Sequence, residues 1–562
     1  MKSIRDTYRN LRPDALLALW LGVWWVCNLV QAGLTELADD EAYYHMFAQH
    51  LAWGYFDHPP MVALLVRAGE ALAGGELGVR LLFTSLQPLY LWVLWRLVRP
   101  AAATRRDAGL FAVVAAATLM LQLYGFIAVP DGPLLATSAL FLLALDRFAA
   151  RQRGAWLWLG LAMGAMAYSK YHGALVVLFA VAANPRLLRR PGLYAAGAVT
   201  LATLLPHLAW QADHDWASFA YHLTGRNSAF RWNYVTEFVL NMLVVFNPLF
   251  VPLYVKAWRA AEPRTAAARA LKWMPPAFIG FFLLSSLRGY VQPQWTIVGA
   301  LGLVYLLFDY ARRHPRTRRY VVRTGLATVA LVALVRLEMI FNPLGIRFEV
   351  FDNRASYGAI AEAAAGRPVV FGRNYAKAAK YSFYTGGEAY CQPNIGYRTH
   401  HWQFRDDDTR FAGGEVLVEC TAEAADTTLR LADGTTFGAF VDRDFRPVRR
   451  VEIACEGLPR EAAPGQKVRL RLRLTNPYGY PIPIDGETEL AAVFKHGRSR
   501  VEEYPLDVRC CLPAGGETTV EATVEVPAAL AGLDCRAGFA LRRQRYVHWF
   551  NGASQPIKIA AR

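Results

Sequence analysis

The sequence predicts a polytopic α-helical membrane bundle followed by an exported α/β unit and a β-sandwich. Long apolar runs fill residues 1–345, basic residues cluster in alternate loops between these runs, and residues 448–562 contain alternating polar and apolar side chains. The chain is 54% hydrophobic over 562 residues, more than is usual for a soluble protein. The expected domains are residues 1–345, 346–447 and 448–562.

Eleven apolar runs are candidate membrane spans, because most approach the ~20 residues that a helix needs to cross a bilayer. They cover residues 14–36, 78–98, 108–128, 132–149, 155–169, 171–183, 194–212, 236–257, 273–287, 293–310 and 321–341. The runs at 155–169 and 171–183 are short and are interrupted by a polar stretch at 169–173. The expected number of spans is therefore only approximate, at about eleven. The first run is too long and too rich in Trp for a cleaved signal peptide, and we expect an uncleaved helix.

Basic residues mark one side of the predicted bundle. They cluster at residues 2–12, 96–106, 147–153, 186–190, 256–272 and 312–323. Loops rich in Lys and Arg are retained in the cytoplasm, so this pattern predicts a cytoplasmic N-terminus and a periplasmic C-terminal region at a bacterial inner membrane. Because the net charge of +16 is concentrated in these loops, it indicates contact with the bilayer and not with nucleic acid.

The cysteines follow the same division. Cys27 lies in the first run, and the other six lie in the exported part: Cys391, Cys420, Cys455, Cys510, Cys511 and Cys535. This distribution favours disulfides formed in an oxidising compartment, with scattered free thiols as the alternative. A C-x-x-C pair is missing from the sequence, so a zinc site is not expected.

The exported region contains two kinds of pattern. A β-like run at 368–371 follows an Ala-rich helical stretch, which predicts a small mixed α/β unit. Residues 467–474 alternate with a period of two, as is typical of a half-buried strand, and similar runs occur at 518–526 and 539–543. Together with the turn signals between them, these runs predict a sandwich of immunoglobulin-like type.

The loop between the first two spans is too polar to cross the membrane. Residues 41–53 have apolar side chains at helical spacing, which predicts a helix lying in the membrane interface. The turn Asp57-His58-Pro59-Pro60 follows, and its prolines can begin the next helix at 61–72.

Unusual polar residues gather on the predicted outer side. They are Asp39, Asp40, Glu41, Asp57, His58, Asp131, Lys170, Tyr171, His172, Asp213, His214, Asp215, Arg226, Arg231, Arg288, Tyr290, Gln292 and Gln294. Carboxylates can accept a proton from a hydroxyl nucleophile, and Lys and Arg can hold a phosphate leaving group. Taken singly, a helix cap explains Asp40, a turn explains Asp131 and a snorkelling side chain explains Lys170. Their location on one side favours a shared site.

Six short motifs connect this site with a known class of enzymes. They are Asp40-Glu41-Ala42-Tyr43-Tyr44, His58-Pro59-Pro60, Gly78-Val79-Arg80-Leu81, Pro130-Asp131-Gly132-Pro133-Leu134, Ser169-Lys170-Tyr171-His172-Gly173 and Pro293-Gln294-Trp295. In these motifs the chain resembles the GT-C glycosyltransferases that use polyprenyl-phosphate sugars. The most similar groups are the protein O-mannosyltransferases and the lipid A aminoarabinose transferases, and the likeness covers most of 14–345.

The resemblance implies inverting transfer of a sugar from a polyprenyl-phosphate donor to a periplasmic acceptor, which is a glycan, lipid A or a protein. It implies that Asp40 is the general base, accompanied by Glu41, and that Asp131 orients the acceptor or the base. Lys170 would face the donor phosphate, helped by His58, Arg231 and Arg288. The remaining candidates for the substrate site are Tyr44, Tyr171, His172, Tyr290 and Gln292. Because cations hold the leaving phosphate, we expect no metal cofactor, although other GT-C enzymes use one.

The chain departs from the aminoarabinose transferases at two positions. His58 stands where that group has Lys before Pro-Pro, and Tyr290-Val291-Gln292-Pro293 replaces its Lys-Leu-Pro type of motif. Both changes argue against aminoarabinose as the sugar.

Two other classes of function stay open at this point. A transporter or flippase for a lipid-linked sugar would need polar residues along a path through both leaflets, whereas these spans are nearly free of them. A membrane anchor without catalysis would not need the elaborate outer loops. Loss of Asp40 separates the classes, since a transferase would not tolerate it.

Overall fold

The computed structural model describes residues 11–225, 230–497 and 500–561. The chain divides into two compact units, Met1–Phe351 and Asp352–Arg562.

The described part of the first unit is helical. Its helices are α1 (Pro13–Leu34), α2 (Asp39–Gln49), α3 (Met61–Glu70), α4 (Gly75–Val98), α5 (Arg105–Ala116), α6 (Leu119–Leu123), α7 (Asp131–Ala149), α8 (Ala155–Ser169), α9 (Gly173–Ala182), α10 (Pro191–Asp213), α11 (Ala217–Ala220), α12 (Trp232–Val245), α13 (Val251–Ala260), α14 (Ala266–Ser285), α15 (Gly299–Arg313) and α16 (Pro315–Phe341). Short 3₁₀ segments at Pro185–Arg189 and Pro293–Thr296 and a π segment at Tyr221–Gly225 connect them.

Five of these helices are long and apolar enough to cross a membrane: α1, α4, α7, α10 and α16. The other predicted spans correspond to helices that are shorter or less apolar. The prediction of a multi-pass helical membrane bundle is confirmed, whereas the count of about eleven spans is not.

Two predicted spans, at 108–128 and 236–257, are each broken into two helices. The second break is at Asn247, which has a left-handed backbone with φ of 68°. The Asn247 side chain donates hydrogen bonds to the Ala117 carbonyl (3.1 Å), at the first break, and to Thr328 Oγ1 (3.0 Å) on α16. The two breaks are therefore bonded to each other, which satisfies polar groups that a break inside an apolar bundle would otherwise expose.

Close helix contacts in the bundle depend on small residues. At Gly160 on α8 an added Cβ would overlap the Ala196 carbonyl of α10, and at Gly302 on α15 it would overlap the Leu271 carbonyl of α14. Such positions let two backbones approach, as is common where helices pack inside a membrane.

The first loop contains the two helices that the sequence predicts. α2 begins at Asp39, two residues before the expected start, and α3 begins directly after Pro60. Tyr43, Tyr44 and Phe47 are buried, so the apolar side chains of α2 pack inside the protein, and its place in the membrane interface stays a prediction. The Phe47 ring stacks on Tyr55 of the following loop with centroids 4.1 Å apart, so α2 belongs to the core of the first unit.

The second unit begins with a five-stranded sheet in the order β2-β1-β3-β5-β4. Its strands are β1 (Val369–Phe371), β2 (Ala389–Cys391), β3 (Val416–Cys420), β4 (Thr427–Arg430) and β5 (Thr436–Asp442), and its helices are α17 (Asn353–Ala364), α18 (Tyr375–Thr385) and α19 (Asp407–Arg410). β1 pairs in parallel with β2 and β3, while β4 and β5 add antiparallel pairs. This is a mixed α/β arrangement.

The remaining strands form sheets whose pairs are antiparallel, except for the parallel pair of β7 and β15. They are β6 (Glu452–Glu456), β7 (Glu461–Ala462), β8 (Lys467–Thr475), β9 (Ile482–Ile484), β10 (Thr488–His496), β11 (Arg500–Pro505), β12 (Cys510–Leu512), β13 (Glu517–Glu525), β14 (Asp534–Arg543) and β15 (Gln555–Ile559). The sheet orders are β11-β10-β14-β15-β7, β13-β8-β6 and β12-β9. In β8 the side chains of Leu470, Leu472 and Leu474 point into the core and the arginines between them point out. The immunoglobulin-like type stays a prediction.

All seven cysteines lie in the described residues, and all are free thiols. The prediction of disulfides is therefore wrong for this structure. The six cysteines of the second unit are spread over separate strands, except that Cys510 and Cys511 are neighbours on one strand, where successive side chains point to opposite faces. Cys535 pairs across the sheet with Ile557, which cannot form a disulfide.

The second unit contains a buried histidine that should make its stability depend on pH. Burial, followed by the charge of Arg398, lowers the pKa of His400 to about 3. An unfolded histidine has a pKa of about 6.5, so the unfolded chain binds this proton more readily between these values. We expect the free energy of unfolding of the second unit to fall as the pH decreases from about 6.5 towards about 3. The decrease should be up to about 1.4 kcal/mol for each pH unit.

Thermal unfolding of the full-length protein between pH 7.5 and 4.5 tests this dependence. His400→Gln should flatten the slope, whereas the matched variant His496→Gln on β10 should keep it. Equal slopes in wild type and His400→Gln would show that another group causes the acid sensitivity.

Candidate active site

The site is built around a buried ion pair between Glu41, in the first turn of α2, and Arg80 of α4. Neither side chain is exposed to solvent. Arg80 Nε donates to Glu41 Oε1 (2.7 Å) and Arg80 Nη2 to Glu41 Oε2 (2.5 Å). Glu41 also accepts hydrogen bonds from the backbone N–H groups of Ala38 (3.0 Å) and Ala128 (2.8 Å). Each carboxylate oxygen thus has two donors.

The guanidinium group of Arg80 also donates several further hydrogen bonds besides those to Glu41. Its Nη1 donates to the carbonyls of Ala32 (3.0 Å) and Thr35 (2.7 Å) and to the Thr35 hydroxyl (3.0 Å), and its Nη2 donates to the Glu36 carbonyl (2.8 Å). The pair therefore joins the end of α1, the start of α2, α4 and the segment before α7. This arrangement suits Glu41 to positioning, because a carboxylate that accepts four hydrogen bonds has little capacity left for a substrate proton.

Asp40 lies next to this pair and is half-buried. Its carboxylate is near enough to that of Asp131, at the start of α7, for the two charges to interact, and both charges act on Tyr124. The Ala128 bond to Glu41 explains this proximity, since it fixes the segment that leads into α7 against the first turn of α2. The structure therefore brings together two acidic residues that are about ninety positions apart.

Asp131 and Lys170 form a second buried ion pair. Lys170 Nζ donates to both carboxylate oxygens of Asp131, at 2.7 and 2.8 Å, and both side chains are more than nine-tenths buried. Lys170 directly follows the last residue of α8, so the pair joins the start of α7 to the end of α8. An ammonium group has three N–H donors, and two of them are used here. The third can donate to a substrate oxygen.

A polar network that the sequence analysis did not select surrounds Tyr171. The Tyr171 hydroxyl lies 3.2 Å from His207 Nε2 and accepts a hydrogen bond from Gln211 (3.2 Å). Gln211 also donates to Ser218 Oγ (2.7 Å). Ser218 in turn donates to the Tyr55 carbonyl (2.9 Å). His207 Nδ1 lies 2.7 Å from the carbonyl of Trp53, in the same loop as Tyr55. The network thus holds the first loop against α10.

His172 belongs to a separate aromatic cluster. Its ring lies edge-on to Phe282 of α14 (centroids 5.3 Å apart) and tilted to Trp295 (5.4 Å). Trp295 Nε1 donates to Gln292 Oε1 (3.0 Å). Two predicted site residues, His172 and Gln292, are therefore linked through Trp295.

The other predicted site residues are distributed as follows. His58 lies edge-on to the buried Tyr44 ring, with centroids 5.3 Å apart. Arg231, Arg288 and Tyr290 are exposed. Arg226, which the sequence also placed on this side, lies outside the described residues.

The site was also searched for possible metal ligands among the residues that the structure describes. In residues 11–225, 230–497 and 500–561, groups of three or more His, Cys, Asp or Glu side chains that could hold a metal ion are not found. Independence of a metal cofactor stays a prediction.

The Glu41–Arg80 pair should be essential for the stability of the first unit. Arg80→Gln leaves the Glu41 charge buried and the carbonyls around it unpaired, which typically costs about 3–5 kcal/mol. We expect a large drop in the midpoint of thermal unfolding in detergent. Arg67→Gln, at an exposed arginine on α3, serves as the matched control and should change the midpoint little. Similar midpoints for the two variants would contradict the central role of this pair.

Comparison with known proteins gives a family-model match over part of the chain and a fold. Residues 57–210 match the family model described as dolichyl-phosphate-mannose-protein mannosyltransferase. The structure of ArnT from Cupriavidus metallidurans in the apo state aligns with a TM-score of 0.54 at 16% identity, covering 75% of this chain and 97% of ArnT. The structure of the same protein bound to undecaprenyl phosphate aligns equally well, at 17% identity and the same coverage. A significant match among curated proteins is not found.

At these identities the structural likeness establishes the fold. The chain is a multi-pass membrane protein of the GT-C fold with a sheet-rich C-terminal region. The resemblance of its motifs to the glycosyltransferases that use polyprenyl-phosphate sugars is confirmed.

Proposed function

We propose that this protein transfers a sugar, with inversion, from a polyprenyl-phosphate donor to an acceptor on the periplasmic side of a bacterial inner membrane. One observation carries the proposal: the charge of Asp40, at the start of α2, acts on Asp131 at the start of α7, and Asp131 pairs with Lys170 at the end of α8. A carboxylate and an ammonium group at one site are what transfer from a phosphate leaving group requires. The match to the mannosyltransferase family over residues 57–210 and the undecaprenyl phosphate bound to ArnT support this donor class.

The reaction is a single displacement. The acceptor hydroxyl attacks the anomeric carbon and gives its proton to Asp40, while the bond between that carbon and the phosphate oxygen breaks. The electron pair of this bond leaves with the polyprenyl phosphate, whose charge the third N–H of Lys170 stabilises. Asp131 holds the ammonium group of Lys170 in place through two hydrogen bonds, and Glu41 fixes the backbone on which Asp40 lies. Attack from the face opposite the phosphate inverts the anomeric configuration.

The exposed arginines and His58 belong to the donor side of this proposal. Arg231 and Arg288 are exposed on long side chains that can approach a phosphate at the membrane surface. His58 and the aromatic residues Tyr44, Tyr171, His172 and Tyr290, with Gln292, form the rest of the substrate site.

The donor class is tested by analysing the lipid that co-purifies with the full-length protein in detergent. Mass spectrometry of wild type is expected to show a polyprenyl phosphate species, and Lys170→Ala is expected to lose most of it. Lys272→Ala is the matched control, because Lys272 bonds to the Ala261 carbonyl (2.7 Å) in a predicted cytoplasmic loop. Retention of the lipid in Lys170→Ala, or its loss in the control, would argue against the assigned role of Lys170.

A further inference from the structure

A groove of about 300 Å³ lies between α7 and α8, on the surface of the bundle. It extends from Thr137 and Ala165 at one end to Arg147 and Trp158 at the other, and we call it the α7–α8 groove. Its walls are apolar, and the small side chain of Ala162 leaves space between larger neighbours such as Leu140. The lining residues of each helix recur at intervals of three or four, so one face of each helix forms the groove.

The two ends of the groove differ in charge. At the Thr137 end, the Thr137 hydroxyl lies 3.4 Å from Ser169 Oγ, just below the engaged Asp131–Lys170 pair. At the other end Arg147 is exposed, and no hydrogen bond or ion pair to its side chain is found within the described residues. Its neighbour Asp146 accepts the backbone N–H of Ala267 at 2.6 Å, and within the described residues no ion pair joins Asp146 to Arg147.

The length of the groove matches one leaflet of a bilayer. Thr137 and Arg147 are ten residues apart, which corresponds to about 15 Å along an α-helix. The hydrocarbon core of a bilayer is about 30 Å thick, so one leaflet is about as deep as the groove is long. Trp158 is 63% exposed beside Arg147, where an indole ring is favoured at the membrane–water interface.

The sidedness of Arg147 identifies the leaflet. Arg147 is the first residue of the basic cluster at 147–153, which the distribution of charge assigns to the cytoplasm. The cytoplasmic leaflet holds anionic lipids that attract arginine side chains near the surface. We propose that the α7–α8 groove binds one acyl chain of an anionic phospholipid of the cytoplasmic leaflet, with the lipid phosphate on Arg147. This site is separate from the transfer site and does not rest on the proposed function.

Native mass spectrometry of the full-length protein in detergent tests the proposal. The protein is mixed with phosphatidylglycerol or with the zwitterionic phosphatidylcholine at equal concentrations. Wild type should bind one phosphatidylglycerol in preference to phosphatidylcholine, and Arg147→Gln should weaken that binding about fivefold. Arg153→Gln, at an arginine of the same loop outside the groove, is the matched control and should bind as wild type does.

A second variant tests the groove without changing the charge. Ala162→Trp fills the space that the chain would occupy and should also reduce bound phosphatidylglycerol, so a folding defect in one variant leaves the other as a test. Equal binding by wild type, Arg147→Gln and Ala162→Trp would overturn the proposal. Displacement of the phospholipid by added polyprenyl phosphate would assign the groove to the donor chain and would overturn it as well.

Discussion

Asp40→Asn is expected to abolish sugar transfer while the protein still folds and inserts into the membrane. The substitution keeps the size and polarity of the side chain and removes the group that accepts the acceptor proton. A general base contributes about 100-fold or more to the rate, so the residual activity should be below roughly one hundredth of wild type. Transfer in membranes that contain equal amounts of each variant measures this effect.

Asp39→Asn is the matched control for this experiment. Asp39 lies in the same first turn of α2 and contributes equally to the helix dipole, so a capping role would affect both variants alike. We expect Asp39→Asn to retain most of its activity. Activity of Asp40→Asn above about a tenth of wild type would remove Asp40 as the base, and equal losses in both variants would favour the capping explanation.

The Asp131–Lys170 pair is expected to give the second large effect, on both stability and transfer. Asp131→Asn leaves the ammonium group of Lys170 buried without a counter-charge, which typically costs about 3–5 kcal/mol of folding free energy. Lys170→Met leaves Asp131 in the same condition. Transfer should be lost in both variants, because each removes either the phosphate contact or the group that orients it.

A double-mutant cycle separates the pair from its parts. In Asp131→Asn/Lys170→Met neither charge is left alone, so the stability loss should be smaller than the sum of the single losses by about 1–3 kcal/mol. Activity should not recover with stability. The exposed pair Arg313–Asp309 on α15 is the control, and Arg313→Gln should cost less than about 1 kcal/mol. Additive losses of folding free energy in the two single variants would contradict a stabilising interaction between Asp131 and Lys170.

Much of the fold could be predicted from the sequence because membrane spans and half-buried strands have strong local patterns. The alternation along β8 alone predicts its inward leucines. The break at Asn247 could not be predicted, since the apolar run continues through it and the break is stabilised by bonds to Ala117 and Thr328. Both partners are distant in the sequence.

The sequence singles out candidate site residues one by one but does not predict the contacts between them. Asp131 and Lys170 stand out as polar residues at the ends of apolar runs, yet their pairing depends on how α7 and α8 pack. Arg80 lies in the motif at residues 78–81, but its role as the partner of Glu41 depends on the fold. His207 and Gln211 have a recognisable pattern in the sequence, since two polar residues four positions apart on an apolar helix share one face.

The most direct test compares the polyprenyl lipids that co-purify with wild type and with Asp40→Asn. A transferase that completes its reaction should retain polyprenyl phosphate without sugar, whereas the variant that cannot take the proton should retain the intact donor. We therefore expect the Asp40→Asn sample to show the same lipid with the added mass of one sugar, which also identifies the sugar by its mass. Identical sugar-free lipid in both samples, or no polyprenyl lipid in either, would contradict transfer from a polyprenyl-phosphate sugar with Asp40 as the base.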